Sequence, residues 1–371
     1  MENRMFSSDT ASLLALVSSV LRHYGVPTPH PTLPEADRLL AVSPRNVVIL
    51  LFDGMGMNVL EKHLPDNAFL RRHLITPIAS VFPPTTTAAT TTMETGLSPA
   101  EHGWLGWSLY FREVGECVNL YPNTVTQSNG RKAADYHIAR TVLPYRTVFD
   151  RIEETAPDVT ARWVSPYSEY AAKTIPQLCD AVSALCREDG RHYIYGYHIQ
   201  PDYDIHDLGT EHPKIAEHLR RINDAVEALC ASLSDTLVFV TADHGLVDTA
   251  WRPLYAHPDV TECLSRAPSI ETRAMSLFIK DGMHTQFVCA FTEHFGDIYT
   301  LYPREAVLAR HFFGGGNIHP RTPDFIGDFL AVASGNISID PAETPDAHPF
   351  RAAHGGRTEE ERFVPLITVS C

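Results

Sequence analysis

The feature that most constrains the fold is an uninterrupted apolar run that ends in an aspartate and two glycines. Asn46-Val-Val-Ile-Leu-Leu-Phe leads directly into Asp53-Gly54-Met55-Gly56. Apolar runs of this length are typical of a strand that is buried on both faces of a parallel sheet. A carboxylate at the end of such a strand lies at the carboxyl edge of the sheet, where open α/β folds bind their ligands. Asp53 is therefore either a ligand-binding residue or the cap of the next helix.

Strand-like and helical segments alternate along most of the chain. Residues 213–233 have apolar positions at three-to-four spacing, which predicts a long helix. Apolar or alternating runs predict strands at residues 192–199, 236–241 and 363–369. The alternation predicts an α/β fold with a mainly parallel central sheet and helices on both of its faces.

Two stretches interrupt this pattern. Residues 104–139 mix aromatic and polar side chains irregularly, and residues 251–270 are loop-like. We expect a small cap or long loops over the carboxyl edge of the sheet, formed by about residues 104–140 and 250–320. Since we find neither an internal repeat nor a linker between independent units, residues 1–371 are expected to form a single domain.

The composition restricts the partners. The chain has 45 acidic and 30 basic residues, and its formal net charge of -15 disfavours a nucleic acid polymer or an anionic membrane as a partner. An anionic substrate would need a local attractor, such as a metal ion. The seven cysteines contain no C-x-x-C pair, and we find neither a secretory signal nor a membrane-spanning run. We therefore expect free thiols and a cytoplasmic location.

Three further strand ends carry metal-ligand residue types. Together with Asp53 they supply three aspartates and three histidines: Asp53, Asp202, His206, Asp243, His244 and His354. Mixed histidine and carboxylate sets suit Zn²⁺ and related divalent ions. Six ligands exceed one tetrahedral site and divide into two sites of three, and two-metal sites bracket the attacking and leaving oxygens in phosphoryl transfer.

A threonine-rich segment follows the second predicted strand. Phe82-Pro-Pro-Thr85-Thr86-Thr87-Ala-Ala continues through three more threonines to a Thr-Gly-Leu sequence at Gly96. Small residues at a helix start expose backbone N–H groups to an anion, and the helix dipole favours negative charge there. A threonine at this start could be ionised by a metal and attack phosphorus. The other threonines are expected to cap the helix and fill its packing.

These motifs, in this order, resemble the type I phosphodiesterase/nucleotide pyrophosphatase family of the alkaline phosphatase superfamily. The resemblance extends over residues 46–368 and rests on Asp53-Gly, Phe-Pro-x-Thr-Thr with Thr-Gly-Leu, Pro-Asp-x-x-x-His, Ala-Asp-His-Gly and His-Gly-Gly. It implies an alkaline-phosphatase-like fold and hydrolysis of phosphodiester or nucleotide pyrophosphate bonds. It also implies a small phosphorylated substrate, such as a nucleotide.

The resemblance further implies two metal sites and a covalent threonine intermediate. One divalent ion would be held by Asp202, His206 and His354. The other would be held by Asp53, Asp243, His244 and the nucleophile. The nucleophile of the family lies ten residues before the glycine of Thr-Gly-Leu, which points to Thr86, with Thr85 and Thr87 as alternatives. Zn²⁺ is the expected metal and Mn²⁺ the alternative.

One position departs from the family pattern. Many relatives carry an asparagine three residues after the nucleophile, and here that position is Ala89. A phosphoryl oxygen would then be held by the backbone N–H of Thr87 or by a side chain from a nearby segment. The candidate side chains are His102, Trp104, Trp107, Tyr110 and Arg112.

Other interpretations remain open at this point. Arg273 either grips a phosphate or pairs with Glu271, and we favour the pair. Within the same superfamily, the chain could instead be a phosphomonoesterase or a phosphomutase. Outside enzymes, the alternative is a non-catalytic protein that binds metal.

Overall fold

The computed structural model describes residues 11–342 and 350–371. The helices are α1 (Leu13–His23), α2 (Pro34–Leu40), α3 (Met57–His63), α4 (Phe69–Arg72), α5 (Thr86–Thr95), α6 (Pro99–His102), α7 (Ile138–Val142), α8 (Val148–Thr155), α9 (Ile175–Arg187), α10 (Asp202–Leu208), α11 (Pro213–Ser232), α12 (Pro258–Thr261), α13 (His284–Phe295), α14 (Arg304–Ala309), α15 (Thr322–Phe325) and α16 (Glu359–Arg362).

The strands are β1 (Asn46–Phe52), β2 (Leu74–Ala79), β3 (Ser108–Phe111), β4 (Glu116–Asn119), β5 (Thr124–Val125), β6 (Val159–Ser165), β7 (Tyr170–Ala171), β8 (Arg191–His198), β9 (Thr236–Thr241), β10 (Val247–Asp248), β11 (Ala250–Pro253), β12 (Ser269–Ile270), β13 (Ala274–Leu277), β14 (Tyr299–Pro303), β15 (Phe329–Ala333), β16 (Ile337–Asp340), β17 (Ala352–Ala353) and β18 (Phe363–Ser370).

The central sheet is mainly parallel, as predicted. Among the described residues its strand order is β2-β18-β9-β1-β8-β6-β7, with only β18 running against its neighbours. Every residue of β1 is buried, which agrees with its unbroken apolar sequence. Strands β1, β8 and β9 pair in parallel, so that their carboxyl ends lie side by side at one edge.

The longer helices fall into two groups. One group packs around α11, which contacts α3, α4 and α9, and the other contains α1, α2, α5 and α8. The apolar faces of these helices and the strands between them form one large hydrophobic core. A doubly covered sheet is the arrangement that the alternation of strands and helices predicts, and this part of the prediction is confirmed.

A second sheet is built in part from segments that the sequence pattern left without regular structure. Seven strands of the described chain form it in the order β14-β15-β13-β12-β3-β4-β5, all antiparallel. It separates two smaller cores. In β15, Leu330 and Val332 face one core, whereas Ala331 and Ala333 face the other.

The interpretation of residues 104–139 and 251–270 as irregular is therefore wrong in part. The first range contains β3, β4 and β5, and the second contains β11, α12 and β12. These strands are two to four residues long, too short for their alternation to stand out from the surrounding turns. The single domain predicted for residues 1–371 also includes residues 1–10 and 343–349, which lie outside the described residues.

Within the described residues, no helix combines the length and the apolar character that crossing a membrane requires.

Candidate active site

Three aspartates come together at the carboxyl edge of the central sheet. Asp53 follows β1, Asp202 lies just beyond β8, and Asp243 lies just beyond β9. The backbone N–H of Asp53 donates to the carbonyl of His198 (2.9 Å), and that of Asp202 donates to the carbonyl of Asp53 (2.9 Å). These bonds continue the β1–β8 pairing past the strand ends and fix the first two aspartates side by side.

A glycine makes this close approach possible. Gly54 has a φ of 70°, and a Cβ atom at this position would lie 2.8 Å from the Cα of Asp202. Its N–H donates to Oδ1 of Asp243 (3.1 Å). Gly54 therefore brings the segments that carry all three aspartates into contact, which a side chain at this position would prevent.

The three predicted histidine ligands are oriented alike. Each has its Nδ1 near a backbone carbonyl: His206 with Ala352 (2.8 Å), His244 with Gly245 (3.1 Å) and His354 with Pro84 (3.2 Å). Because a carbonyl only accepts, Nδ1 carries the proton in each ring and Nε2 keeps its lone pair. This tautomer is the one that binds a metal through Nε2.

The possible ligand atoms form two overlapping groups. Those of Asp202, His206 and His354 lie within 4.8 Å of one another, and so do those of Asp53, Asp202 and His244. Oδ2 of Asp243 is 3.5 Å from Nε2 of His244, which places it beside the second group. All six predicted ligands therefore lie together, with Asp202 between the two groups.

The charge of this cluster fits a cation. Oδ1 of Asp202 and Oδ2 of Asp243 are buried and have no hydrogen-bond partner among the described residues. Burial, and then the neighbouring Asp243 and Asp202 carboxylates, raise the pKa of Asp53 well above its usual value. Burial likewise raises the pKa of Asp202, and it lowers the pKa of His354, which keeps that ring neutral. Buried carboxylates beside neutral imidazoles are the ligand set that divalent zinc prefers.

Helix α5 brings the threonine-rich segment to the same place. Thr86 is its first residue, and Oγ1 of Thr86 lies 3.1 Å from Nε2 of His244 and 3.5 Å from Oδ1 of Asp53. Thr85 instead donates to Glu271 (2.6 Å), and Thr87 is completely buried. Among the three candidate nucleophiles, Thr86 is the one whose hydroxyl contacts the predicted ligands.

The later threonines fill the helix. The hydroxyls of Thr90, Thr91 and Thr95 each donate to the carbonyl four residues earlier, at 2.8, 2.7 and 2.7 Å. Such back-bonding satisfies small polar side chains inside a tightly packed helix. The Thr90 hydroxyl also lies 2.5 Å from that of Tyr121, which comes from the turn between β4 and β5.

Glu271 connects the second sheet to the start of α5. Its Oε1 accepts the Thr85 hydroxyl (2.6 Å) and the backbone N–H of Trp107 (2.8 Å). Burial raises the pKa of the Glu271 carboxyl to about 7. The preceding residue, Ile270, has a φ of 77°, a region that β-branched residues avoid. Strain of this kind costs roughly 1–3 kcal/mol and concentrates at functional sites.

Four of the five side chains considered for the phosphoryl oxygen are engaged in other contacts. These contacts are His102 with Thr92 (3.2 Å), Trp104 with the carbonyl of Leu143 (3.1 Å), Tyr110 with the guanidinium of Arg266 (4.0 Å to the ring centre) and Arg112 with Asp324 (3.5 Å). Trp107 differs, because it is 44% exposed, is held by Glu271, and has its ring 6.3 Å from that of Tyr121. Trp107 is thus linked to Thr85 through its backbone N–H and Glu271, and Tyr121 is linked to α5 through Thr90.

The expected pairing of Arg273 with Glu271 is wrong. Arg273 is fully buried and forms a two-pronged ion pair with Glu361, from Nε to Oε1 (2.6 Å) and from Nη2 to Oε2 (2.9 Å). Glu361 also accepts the N–H of Gly356 (2.7 Å). The ion pair therefore fixes the loop that follows His354, and Glu271 is left free to hold Thr85.

Two residues of this site, Tyr197 and Tyr121, had no assigned role in the sequence analysis, and a third, Glu271, was expected only as the partner of Arg273. Tyr197 donates a 2.5 Å hydrogen bond to Oδ2 of Asp53. Its position one residue before the end of β8 is the feature of the sequence that could have indicated a place near the site. Tyr121 and Glu271 come from short strands and turns of the second sheet. No spacing in the sequence relates them to Thr86, because only the tertiary fold brings the two sheets together.

Comparison with known proteins places this arrangement in a family. The family described as type I phosphodiesterase / nucleotide pyrophosphatase matches residues 47–357. No curated protein matches the sequence.

Solved structures share the fold. Murine ectonucleotide pyrophosphatase / phosphodiesterase 5 has 16% sequence identity and a TM-score of 0.64, with 88% of each chain covered. An inactive threonine-to-alanine variant of the same murine protein, in complex with AMP, has a TM-score of 0.63 at 16% identity, with 86% of this chain and 87% of that chain covered. Phosphonoacetate hydrolase from Sinorhizobium meliloti, in complex with phosphonoformate, has 18% identity and a TM-score of 0.62, with 88% of this chain and 90% of that chain covered.

Proposed function

The chain belongs to the type I phosphodiesterase/nucleotide pyrophosphatase family, and from that membership we propose a two-metal reaction through a covalent threonine intermediate. Membership makes the protein a metal-dependent hydrolase of the phosphodiesterase/pyrophosphatase type. The observation that carries the finer proposal is the position of Thr86. Its hydroxyl is at the start of α5, 3.1 Å from His244 and 3.5 Å from Asp53.

In this proposal, the six ligands divide into the two sets that the family resemblance implies. Asp53, Asp243 and His244 would hold the cation beside Thr86, and Asp202, His206 and His354 would hold the other. When bound, the two cations lower the pKa of a coordinated hydroxyl and neutralise charge on the leaving oxygen. The donor set of imidazole nitrogens and carboxylate oxygens favours Zn²⁺, with Mn²⁺ as the alternative.

The chain's own groups orient the reacting atoms. The first-turn N–H groups of α5 have no partner within the helix and would face an anion bound at its start. The Thr86 oxygen forms a bond to phosphorus and gives up its hydroxyl proton as the bond from phosphorus to the leaving oxygen breaks, and the leaving oxygen takes up a proton. Water then attacks the same phosphorus, the bond to the Thr86 oxygen breaks, and a phosphate monoester is released while the Thr86 hydroxyl is restored with a proton from that water.

The proposed substrate is a phosphodiester or pyrophosphate of a small molecule such as a nucleotide. AMP in the complex of the inactive murine variant supports a nucleotide, and the threonine replaced in that variant supports a threonine nucleophile. Phosphonoformate in the bacterial hydrolase complex shows that this fold also accommodates a smaller anion. The reaction class therefore rests on the family, and the substrate class on its neighbours.

The test compares ester classes on the purified full-length chain reconstituted with Zn²⁺. We expect bis-p-nitrophenyl phosphate and a p-nitrophenyl nucleotide ester to be hydrolysed with a higher kcat/KM than p-nitrophenyl phosphate. Chelation should abolish turnover, and Zn²⁺ should restore it. Preferential cleavage of the monoester would instead assign the chain to the phosphomonoesterases of the superfamily. Absence of stoichiometric metal would overturn the two-metal proposal.

A further inference from the structure

A third group of histidine and carboxylate side chains lies outside the candidate active site. His257 directly precedes α12, Asp259 lies within α12, and His294 lies in the last turn of α13. Each offers a possible ligand atom, and these atoms lie within 4.8 Å of one another. The other groups of this kind in the described chain are the two at the sheet edge.

The three side chains already contact one another. Nε2 of His294 is 2.9 Å from Oδ2 of Asp259, and the ring centres of His257 and His294 are 4.0 Å apart with their planes at 35°. The ring of Phe295 meets that of His257 edge-on, with the centres 5.0 Å apart. Val260 and Phe295 are buried in the same hydrophobic core, so the backbone on both sides of the group is anchored.

The charges near this group do not oppose the binding of a cation. The positive side chain of Arg252 lies near the group, because it donates to the carbonyl of His294 (3.2 Å), and it is bound to Asp297 through two contacts (3.2 and 3.3 Å). Its charge is thus compensated by Asp297, leaving the Asp259 carboxylate to face the two imidazoles. Burial, and then the nearby His294, lower the pKa of His257, so that this ring is neutral and able to act as a ligand.

We propose that His257, Asp259 and His294 form a third divalent-cation site, of the zinc class, that ties α12 to the end of α13. Two imidazoles and one carboxylate match the ligands that Zn²⁺ prefers, whereas Ca²⁺ and Mg²⁺ require oxygen-rich sites. The side chains of His294 and Asp259 are 26% and 49% exposed, which gives solvent access to the remaining coordination position.

The role of this site is to stabilise the fold and not to carry out the reaction. It lies on the segment after β11 and on α13, and both pack on the core at one face of the second sheet. A cation bound by both helices would oppose their separation, so its binding energy adds to the stability of that core. The proposal is independent of how many ions the candidate active site binds.

The experiment counts zinc on the full-length protein. Wild type, His294→Ala and Asp259→Asn are equilibrated with buffered Zn²⁺, and bound metal is measured by elemental analysis and by calorimetric titration. The matched control is His284→Ala, because His284 is a half-exposed histidine on the first turn of the same α13 and pairs weakly with Asp328 (3.4 Å). We expect both test variants to bind one zinc equivalent per chain fewer than wild type, and the control to match wild type.

Two further readouts separate this site from the active site. Phosphodiester hydrolysis should be the same in all four proteins, whereas the rise in melting temperature on adding Zn²⁺ should be smaller in the two test variants. Asp259→Asn keeps the size of the side chain, so it decides the question if His294→Ala does not fold. Equal zinc content in wild type and Asp259→Asn would overturn the proposal.

Discussion

The two sheets divide the work of the molecule differently. The central parallel sheet supplies the aspartates at its carboxyl edge, each placed by the end of a long buried strand. The antiparallel second sheet supplies Glu271 and Arg273, which contact Thr85 and Glu361 and not the predicted ligands themselves. The first sheet thus presents the chemical groups, and the second fixes the loops and the helix start around them.

The two sheets also differ in what specifies the positions of their site residues. Asp53 needs only a strand end and a glycine at position 54, both of which are local features. Glu271 is aimed by the left-handed φ of Ile270 and depends on contacts more than 150 residues away in sequence, such as that with Trp107. The residues that present ligands are therefore specified locally, and those that position them are specified by the tertiary fold.

The largest expected effect tests whether Thr86, at the edge of the central sheet, is the nucleophile. Thr86→Ala should lower kcat/KM for a phosphodiester by about 10⁴-fold or more, because it removes the attacking oxygen. Metal content should stay near two equivalents at the active site, since the six side-chain ligands remain. The control is Thr91→Val, which removes from the same helix a hydroxyl that donates to the carbonyl of Thr87 (2.7 Å). Comparable rates for Thr86→Ala and this control would exclude Thr86 as the nucleophile.

The next effect tests whether the second sheet fixes the site. Arg273→Met should lower the free energy of unfolding by about 3–5 kcal/mol, because it leaves the buried Glu361 carboxylate unpaired. The measurement is urea unfolding of the full chain. Arg131→Met is the control, since Arg131 and Glu116 form an exposed ion pair (2.8 Å) whose loss should cost less than about 1 kcal/mol. Similar losses in the two variants would mean that the Arg273–Glu361 pair has no special structural role.

The sequence predicted the central sheet more completely than the second one. The apolar run before Asp53 and the strand predicted at residues 236–241 correspond to β1 and β9, because long buried strands consist of continuous apolar residues. Strands β3, β4 and β5 were missed, since they have only two to four residues and lie in a stretch that mixes aromatic with polar side chains. Short antiparallel strands are defined by their partners, and those partners are distant in sequence.

The same contrast holds within the site. The six predicted ligands and Thr86 lie together in the structure, and each belongs to a short motif next to a strand or helix start. The partner of Arg273 was predicted wrongly, because Glu271 is near it in sequence whereas Glu361 is near it in space. Proximity in sequence favoured the pair of Arg273 with Glu271, whereas the packing of the loop after His354 brings Arg273 to Glu361.

The pH dependence of stability tests the burial of Glu271. Burial raises the pKa of this carboxyl to about 7 in the folded state, so the folded state binds more protons than the unfolded state between the unfolded value and about pH 7. Glu271 should therefore contribute a fall in the stability of the wild type as pH rises through that window, and Glu271→Gln should lack this contribution. From pH 4.5 to 8, the difference in the free energy of unfolding between the two proteins should change by up to about 3 kcal/mol in favour of the variant.

The measurement for this prediction is urea unfolding of both metal-stripped proteins across that pH range. Glutamine keeps an acceptor oxygen for Thr85 and Trp107, so the contacts of the side chain are preserved while its titration is removed. All other titrating groups are common to the two proteins and cancel in the difference. Parallel stability curves would show that Glu271 titrates at an ordinary pKa and that the second sheet does not enclose it.

The smallest expected effect tests whether Tyr197, a residue of the central sheet, positions the predicted metal ligand Asp53. Tyr197→Phe removes the hydroxyl that donates to Oδ2 of Asp53 (2.5 Å), and we expect Zn²⁺ to bind the Asp53 group about 10-fold more weakly. Tyr195→Phe is a closely matched control, because Tyr195 lies two residues earlier in β8 and its buried hydroxyl has no hydrogen-bond partner among the described residues. Zinc titration of both variants should weaken binding only in Tyr197→Phe. If both variants bind Zn²⁺ like wild type, Asp53 is oriented by its backbone alone, and the positioning of ligands by side chains is confined to the second sheet.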